Sequence, residues 1–521
     1  MIRSKKSISI IALVIVLAMT LLAGCQTQPT VTQTGNSNDY KGTAAKYVFL
    51  FIGDGMGMAQ INTAEIYLGA TAKKGANPDI TKLSFTQFTA QGMNTTHAAD
   101  SFIPDSASAG TAIASGFKTT DGVINMDPAK KEKYKSMAEM AKEKGMKVGI
   151  VSSVSIDHAT PAVFYAHQPT RNNYYDIAME LAKSNFDYFG GGGLVQPKGK
   201  DNDKPDALEE AKKNGFKVVN TKDEIMKLDS KSGKVIAINP VLDGSKALTY
   251  DMNRKDDLSL ADYTRKGIEL LENDKGFFMM VEGGKIDWAC HANDGAASIK
   301  DTIAFSDAVA EAVKFYEKHP KETLIVVTGD HETGGMTIGF AGTKYETFFE
   351  VLGGQKVSFD EFDKKFAEFK KGKTEDSVKI EDVLPLIQDS FGLSAISTDN
   401  RKDLEKKAKE GDKEAAKKLK ATFSEAELNS LKDALKLSMK EKKDRPTDDQ
   451  TYLLYGGYEP LSVTLTHILN QKAGIGWTTY SHTGVAIPVY AKGVGQELFV
   501  GYYDDTDTGK KIRSIMGVSN K

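Results

Sequence analysis

Four short, almost continuously apolar runs constrain this chain more than any other feature. Tyr47–Ile52, Lys147–Val151, Gly276–Val281 and Thr323–Thr328 are rich in β-branched, aromatic and other large apolar side chains and show no polar alternation, the pattern of strands covered on both faces. Helical patterns lie between them, among them Ser136–Lys144 and Leu260–Glu272. Strands alternating with helices predict an α/β domain, its central, mostly parallel β-sheet flanked by helices on both faces. Open parallel sheets bind ligands beyond the carboxyl ends of their strands, so the residues after each run are where chemistry is expected.

Three of these ends carry metal-competent side chains: Gly53-Asp54-Gly55, then Glu282 followed by Asp287 and His291, then Gly329-Asp330-His331. Singly they say little. A Gly-Asp-Gly is commonly a tight turn, and an i, i+4 Asp/His pair such as Asp287 and His291 can be a surface salt bridge as well as two ligands of one ion. Their conjunction at three strand ends favours a shared site. Asp105-Ser106-Ala107-Ser108-Ala109-Gly110-Thr111 opens a helix of small residues. Asp105 or Ser106 caps it on the simpler reading; on the other, Ser106 is a nucleophile where backbone N–H groups favour an anion. An unactivated hydroxyl is a poor nucleophile, and metal coordination is its natural activator here.

The segment Ile103–Thr111 resembles the alkaline phosphatase signature around the nucleophilic serine, and five further segments match that family in the same chain order. The likeness runs from about Lys46 to Ile338 and again from about His467 to the C-terminus. It implies a zinc- and magnesium-dependent hydrolase of small-molecule phosphate monoesters with an alkaline phosphatase-like fold. By that resemblance Ser106 is the phosphorylated serine. Asp54, Asp330 and His331 match the ligands of one Zn2+, and Asp287, His291 and His482 those of a second. Thr160 and Glu282 match the Mg2+ ligands with Asp54 bridging, and Arg171 matches the arginine that grips phosphate. Two positions depart from the enteric bacterial pattern: His158 replaces an acidic residue near magnesium, and Trp288 replaces a lysine. His158 therefore stands as a third-site ligand that could draw in Zn2+, or as a hydrogen-bonding neighbour, and Trp288 as a contact for the leaving group. Imidazole suits zinc, whereas carboxylate with hydroxyl suits magnesium. Three divalent ions outweigh the four carboxylates, leaving a cationic trap for phosphate.

At the N-terminus, Arg3, Lys5 and Lys6 precede the apolar run Ile8–Leu22 and the sequence Leu22-Ala23-Gly24-Cys25. This resembles a bacterial lipoprotein signal peptide, giving a signal over 1–24, lipidation of Cys25, a flexible tether over 25–45 and a folded body over 46–521. The expectation is an extracytoplasmic protein held at the bacterial membrane's lipid bilayer. Lipidation would leave Cys290, the other of 2 cysteines, without a disulfide partner, and its expected role is structural. Lys+Arg 68 against Asp+Glu 70 gives no basic surface for nucleic acid. Residues 358–445 are dense in Lys and Glu with helical spacing, and predict a helical insertion or cap within the body. Phe359, Phe362, Phe366 and Phe369 share a face behind a Ser358/Glu361 capping box; Leu428, Leu431 and Leu435 do so behind Ser424/Glu427. Related phosphatases are commonly dimers, so a homodimer is open. The competing readings are a phosphodiesterase of the same superfamily and a lipid-anchored phosphate- or metal-binding protein.

Overall fold

The computed structural model describes residues 38–72 and 79–518. The signal over 1–24 and Cys25 lie outside them. The stretch expected to be a tether is held to the body at its end: the Tyr40 amide donates to Ser514 Oγ at 2.6 Å and that of Ala45 to the Ile515 carbonyl at 2.9 Å.

Ten strands form one sheet. In chain order they are β1 Tyr47–Gly53, β2 Ala90–Thr95, β3 Lys147–Ser152, β4 Tyr188–Gly191, β5 Phe216–Val219, β6 Lys234–Ile238, β7 Phe277–Glu282, β8 Thr323–Gly329, β9 Ile487–Gly493 and β10 Gly501–Asp504. The spatial order is β10-β2-β9-β8-β1-β7-β3-β4-β6-β5. All neighbours are parallel except β9, which runs antiparallel to both β2 and β8. The four apolar runs are β1, β3, β7 and β8, at the centre. Their alternate residues feed two cores: Phe49, Phe51, Met279 and Val327 on one face, Val48, Leu50, Met280 and Val326 on the other. Both faces therefore need apolar side chains, which is why the runs do not alternate.

Register places the site. Ile52 lies opposite both Glu282 and Thr328, and Gly53 opposite Gly329, so Asp54 and Asp330 leave adjacent strands at the same level, beside Glu282. Ser152 of β3 also pairs with Glu282.

Residues 358–445 are helical, with helices Phe359–Lys370, Ile380–Phe391, Thr398–Lys409, Lys413–Lys420 and Glu425–Met439. Phe362, Phe366, Leu431 and Leu435 join the same core as Phe49 and Phe51. The Ser424/Glu427 capping box forms. The Ser358/Glu361 box does not: the Ser358 hydroxyl is committed to the Asp360 carboxylate and the Asn253 amide. Among the described residues, no helix is long and apolar enough to cross a membrane.

Candidate active site and metal centre

The strand ends and the elements that follow them converge. Asp54, just beyond β1, has Oδ1 3.4 Å from His331 Nε2; Asp330 Oδ2 lies 3.3 Å from the same nitrogen. Ser106 Oγ is also 3.3 Å from it. On the second side, Asp287 and His291 share the helix Lys285–His291 and meet His482, which enters from the far end of the chain. His291 Nε2 is 3.3 Å from Asp287 Oδ2 and 3.2 Å from His482 Nε2. On the third, Thr160 Oγ1 donates to Asp54 Oδ2 at 3.5 Å, and Glu282 accepts from the Ser152 hydroxyl. Gly55 permits the close approach: at φ +69°, a Cβ there would lie 2.8 Å from Asp287 Cα.

The donor atoms fit three cations. Asp54 with Asp330 and His331, Asp287 with His291 and His482, and Asp54 with His158 and Glu282 each bring their ligand atoms within 4.8 Å of one another. Asp54 Oδ1, Asp330 Oδ2 and Glu282 Oε1 are buried without a hydrogen-bond partner, a costly arrangement unless something cationic satisfies them. Burial, then repulsion from Asp330, Asp287 and Glu282, pushes the Asp54 carboxyl well above the usual carboxylate range. Burial and Asp287 do the same to Asp330, and burial raises Glu282 to about 7. The imidazoles are oriented as ligands: His291 Nδ1 faces the Tyr480 carbonyl at 2.6 Å and His482 Nδ1 the Pro104 carbonyl at 2.7 Å. A carbonyl only accepts, so these nitrogens carry the ring protons and Nε2 is left to face the cluster.

Ser106 is the first residue of the helix Ser106–Ser115, and Asp105 caps it, accepting from the Ser108 amide at 2.9 Å. The same carboxylate accepts from Arg171 Nη1 at 2.9 Å, so one residue fixes both the serine's helix and the guanidinium. Arg171 Nη2 lies 3.0 Å from His158 Nε2. Burial and Arg171 push His158 down to about 3, so the ring is neutral. Accepting from Arg171 puts its proton on Nδ1, which has no partner. Coordination through Nδ1 requires that proton to leave, so bonding to Arg171 competes with it. The turn before Arg171 is braced by His167, between Glu139 at 3.5 Å and Glu180 at 3.4 Å. Burial opposes its charge, but these carboxylates raise it to about 9.

Ser106, His158, Arg171, Asp287, Trp288, His291 and His482 open onto one cavity of about 560 Å³. Asp54, Thr160, Glu282, Asp330 and His331 are buried, His331 within 3.3 Å of Ser106 Oγ. Cys290 is wholly buried, its thiol committed to Ser298 and Gln60. Sequence reasoning missed the Asp105–Arg171 pair, the Asp243–Lys285 pair at 2.7 Å in the cavity wall, and the rings of Phe359 and Tyr458 that line it.

The alkaline phosphatase family model matches residues 45–518. Alkaline phosphatase 4 of Bacillus subtilis (strain 168) is 31% identical over 515 residues, 97% of this chain and 96% of its own length. Alkaline phosphatase 3 of the same organism is 32% identical over 476 residues, 90% of this chain and 88% of its own. Among solved structures, a cold-active alkaline phosphatase from Shewanella sp. is 26% identical with a TM-score of 0.71, over 90% of this chain and 99% of that one. That of Thermus thermophilus, 20% identical, shares the fold at a TM-score of 0.73 over 95% and 96% of the two chains. Such a match runs through every strand of the sheet and both ends of the ligand cluster, so this chain belongs to the alkaline phosphatase family and is a phosphatase.

Proposed function

We propose that the chain hydrolyses phosphate monoesters through a phosphoserine on Ser106. The observation that carries this reading is the hydroxyl itself, set at a helix N-terminus 3.3 Å from His331 Nε2 and sharing one cavity with Arg171. A protein that only captured phosphate would need no nucleophile there. Asp54, Asp330 and His331 would hold one zinc, Asp287, His291 and His482 the other, and Asp54, Thr160 and Glu282 a magnesium, with His158 beside it. When bound, these ions supply Lewis-acid charge that favours deprotonation of hydroxyl and water and offsets charge on the phosphoryl oxygens.

The protein's own contribution is positioning. Arg171 offers two parallel donors to two non-bridging oxygens, a geometry a lysine cannot match, and Asp105 holds it in place. The helix N-terminus favours the added negative charge. Ser106 Oγ forms a bond to phosphorus as the bond to the leaving oxygen breaks, and that oxygen departs as the alcohol. Water then attacks phosphorus, releasing inorganic phosphate and restoring the hydroxyl. With one guanidinium and three ligand sets that would hold cations close to Ser106, the cavity suits a terminal phosphate dianion better than a diester. Turnover of p-nitrophenyl phosphate is therefore expected to exceed that of its bis-ester by at least about 10³-fold in kcat/KM, roughly 4 kcal/mol. Preference for the bis-ester would make the chain a diesterase.

We further propose that Cys25 carries a lipid and tethers the enzyme outside the cytoplasmic membrane, on the strength of the basic, apolar and Leu-Ala-Gly-Cys order of residues 3–25. Cys25→Ala should move activity from the membrane fraction to the soluble one; retention at the membrane would refute the anchor.

A further inference from the structure

Phe359 does not follow the rest of its stripe. Phe362 and Phe366 are fully buried in the main core, whereas Phe359, the first residue of its helix, packs with Tyr250 and Trp288 in a separate cluster and opens onto the catalytic cavity. Its ring meets Tyr250 edge-on at 5.8 Å and Tyr458 edge-on at 5.8 Å. Across the cavity wall, the Lys285 ammonium, buried and paired with Asp243 at 2.7 Å, sits 3.8 Å from the Tyr250 ring centre and 4.7 Å from that of Trp288. A buried ion pair set against two rings fixes their positions. The result is an arc of aromatic side chains that begins beside the metal ligands, at Trp288 next to Asp287, and ends on Tyr458.

Tyr250 is wholly buried and serves the wall. Trp288, Phe359 and Tyr458 are each only partly buried and present apolar surface to a cavity that Arg171, Asp287 and His291 also line. Binding and transfer of the phosphoryl group are supplied by Ser106, Arg171 and the carboxylate–imidazole cluster, so that apolar surface is left for the rest of the ester. Rings held edge-to-face with part of their area open to a cavity match a flat aromatic guest.

We propose that Trp288, Phe359 and Tyr458 form a leaving-group subsite that favours phosphate monoesters of aromatic-bearing alcohols, aryl or nucleoside, over those of small aliphatic alcohols. The inference rests on Ser106 being the nucleophile, which places the leaving oxygen toward this arc. It also gives the helical insertion a part in specificity, because Phe359 belongs to it.

The test uses the metal-loaded enzyme and three substrates: p-nitrophenyl phosphate, adenosine 5′-monophosphate and glycerol 2-phosphate. In Phe359→Ala, the ratio of kcat/KM for an aromatic substrate to that for glycerol 2-phosphate is expected to fall about tenfold, the usual scale for one lost stacking partner. Phe359→Leu keeps apolar volume at the helix start, guards against misfolding, and is expected to show a smaller fall of the same sign. A fall confined to p-nitrophenyl phosphate sustains the subsite with the ring close to the ester oxygen; one confined to the nucleotide sustains it with the ring a sugar's length away. Ratios unchanged within twofold for both aromatic substrates in both variants would overturn it. So would a parallel loss on all three substrates with a matching rise in the inhibition constant of inorganic phosphate, which reports a collapsed pocket. Failure of the nucleophile assignment looks different: Ser106→Ala would then still turn over all three esters, whatever Phe359 does.

Discussion

Ser106→Ala is expected to lower kcat/KM for p-nitrophenyl phosphate by on the order of 10³-fold or more, to abolish a trappable phosphoprotein, and to leave bound metal unchanged. The three outcomes follow from what the hydroxyl touches. Ser106 contributes one neutral oxygen 3.3 Å from His331 Nε2, while the charge and imidazole lone pairs of the centre come from Asp54, Asp330, His331 and the Asp287 group. Losing the oxygen removes the atom that accepts phosphorus but no charged ligand. The helix should persist, because its cap is Asp105 and not the serine, and alanine is a good helix former. Residual turnover would measure direct attack by water in a site that still binds and orients phosphate. Metal analysis and an acid-quenched phosphorylation assay check the two other arms. A variant that keeps phosphoprotein formation, or near-wild-type turnover, would remove Ser106 from the mechanism.

The fold was most legible where burial is two-sided. The four apolar runs are the central strands because both of their faces must be dry, and the register of β1 against β7 and β8 then aligns Asp54, Glu282 and Asp330. The strands beyond β8 left no such signal. β2 is Ala-Gln-Gly-Met-Asn-Thr, in which only Ala90 and Asn94 are buried, and β9 carries Pro488, which lacks an amide donor. These strands owe their place to neighbours rather than to their own composition. The candidate site was readable as residue types at strand ends; its supports were not. Asp105 reads as a helix cap from sequence, and only the fold brings Arg171, 66 positions on, to the same carboxylate. Phe359 continues the spacing of Phe362 and Phe366, so periodicity alone assigns it to the core. The failed Ser358/Glu361 box has a related cause: Asn253, 105 positions earlier, competes for the serine hydroxyl.

Stripping the enzyme with a chelator is expected to abolish activity and to lower its melting temperature by about 10 °C, with both restored by zinc and magnesium. The reason lies in the charge the fold confines. Asp54, Glu282, Asp287 and Asp330 are all at least 97% buried, and the three whose carboxyls are pushed upward repel one another across the third and first ligand sets. A bound ion relieves this and exists only in the folded state, so it stabilises by mass action, about 4 kcal/mol for each site filled at a thousandfold excess over its Kd. For a body of this size, roughly 1 kcal/mol corresponds to 1 °C, and two or three such ions give the stated shift. Asp54→Asn discriminates this from a general effect of the chelator. It removes the carboxylate shared by two ligand sets, relieving repulsion in the stripped protein while weakening both sites. The gap between loaded and stripped melting temperatures should therefore narrow from both sides, by about half. An unchanged gap in that variant, or a stripped wild type that melts within about 2 °C of the loaded one, would mean that the carboxylate cluster is neutralised by protons and not by metal.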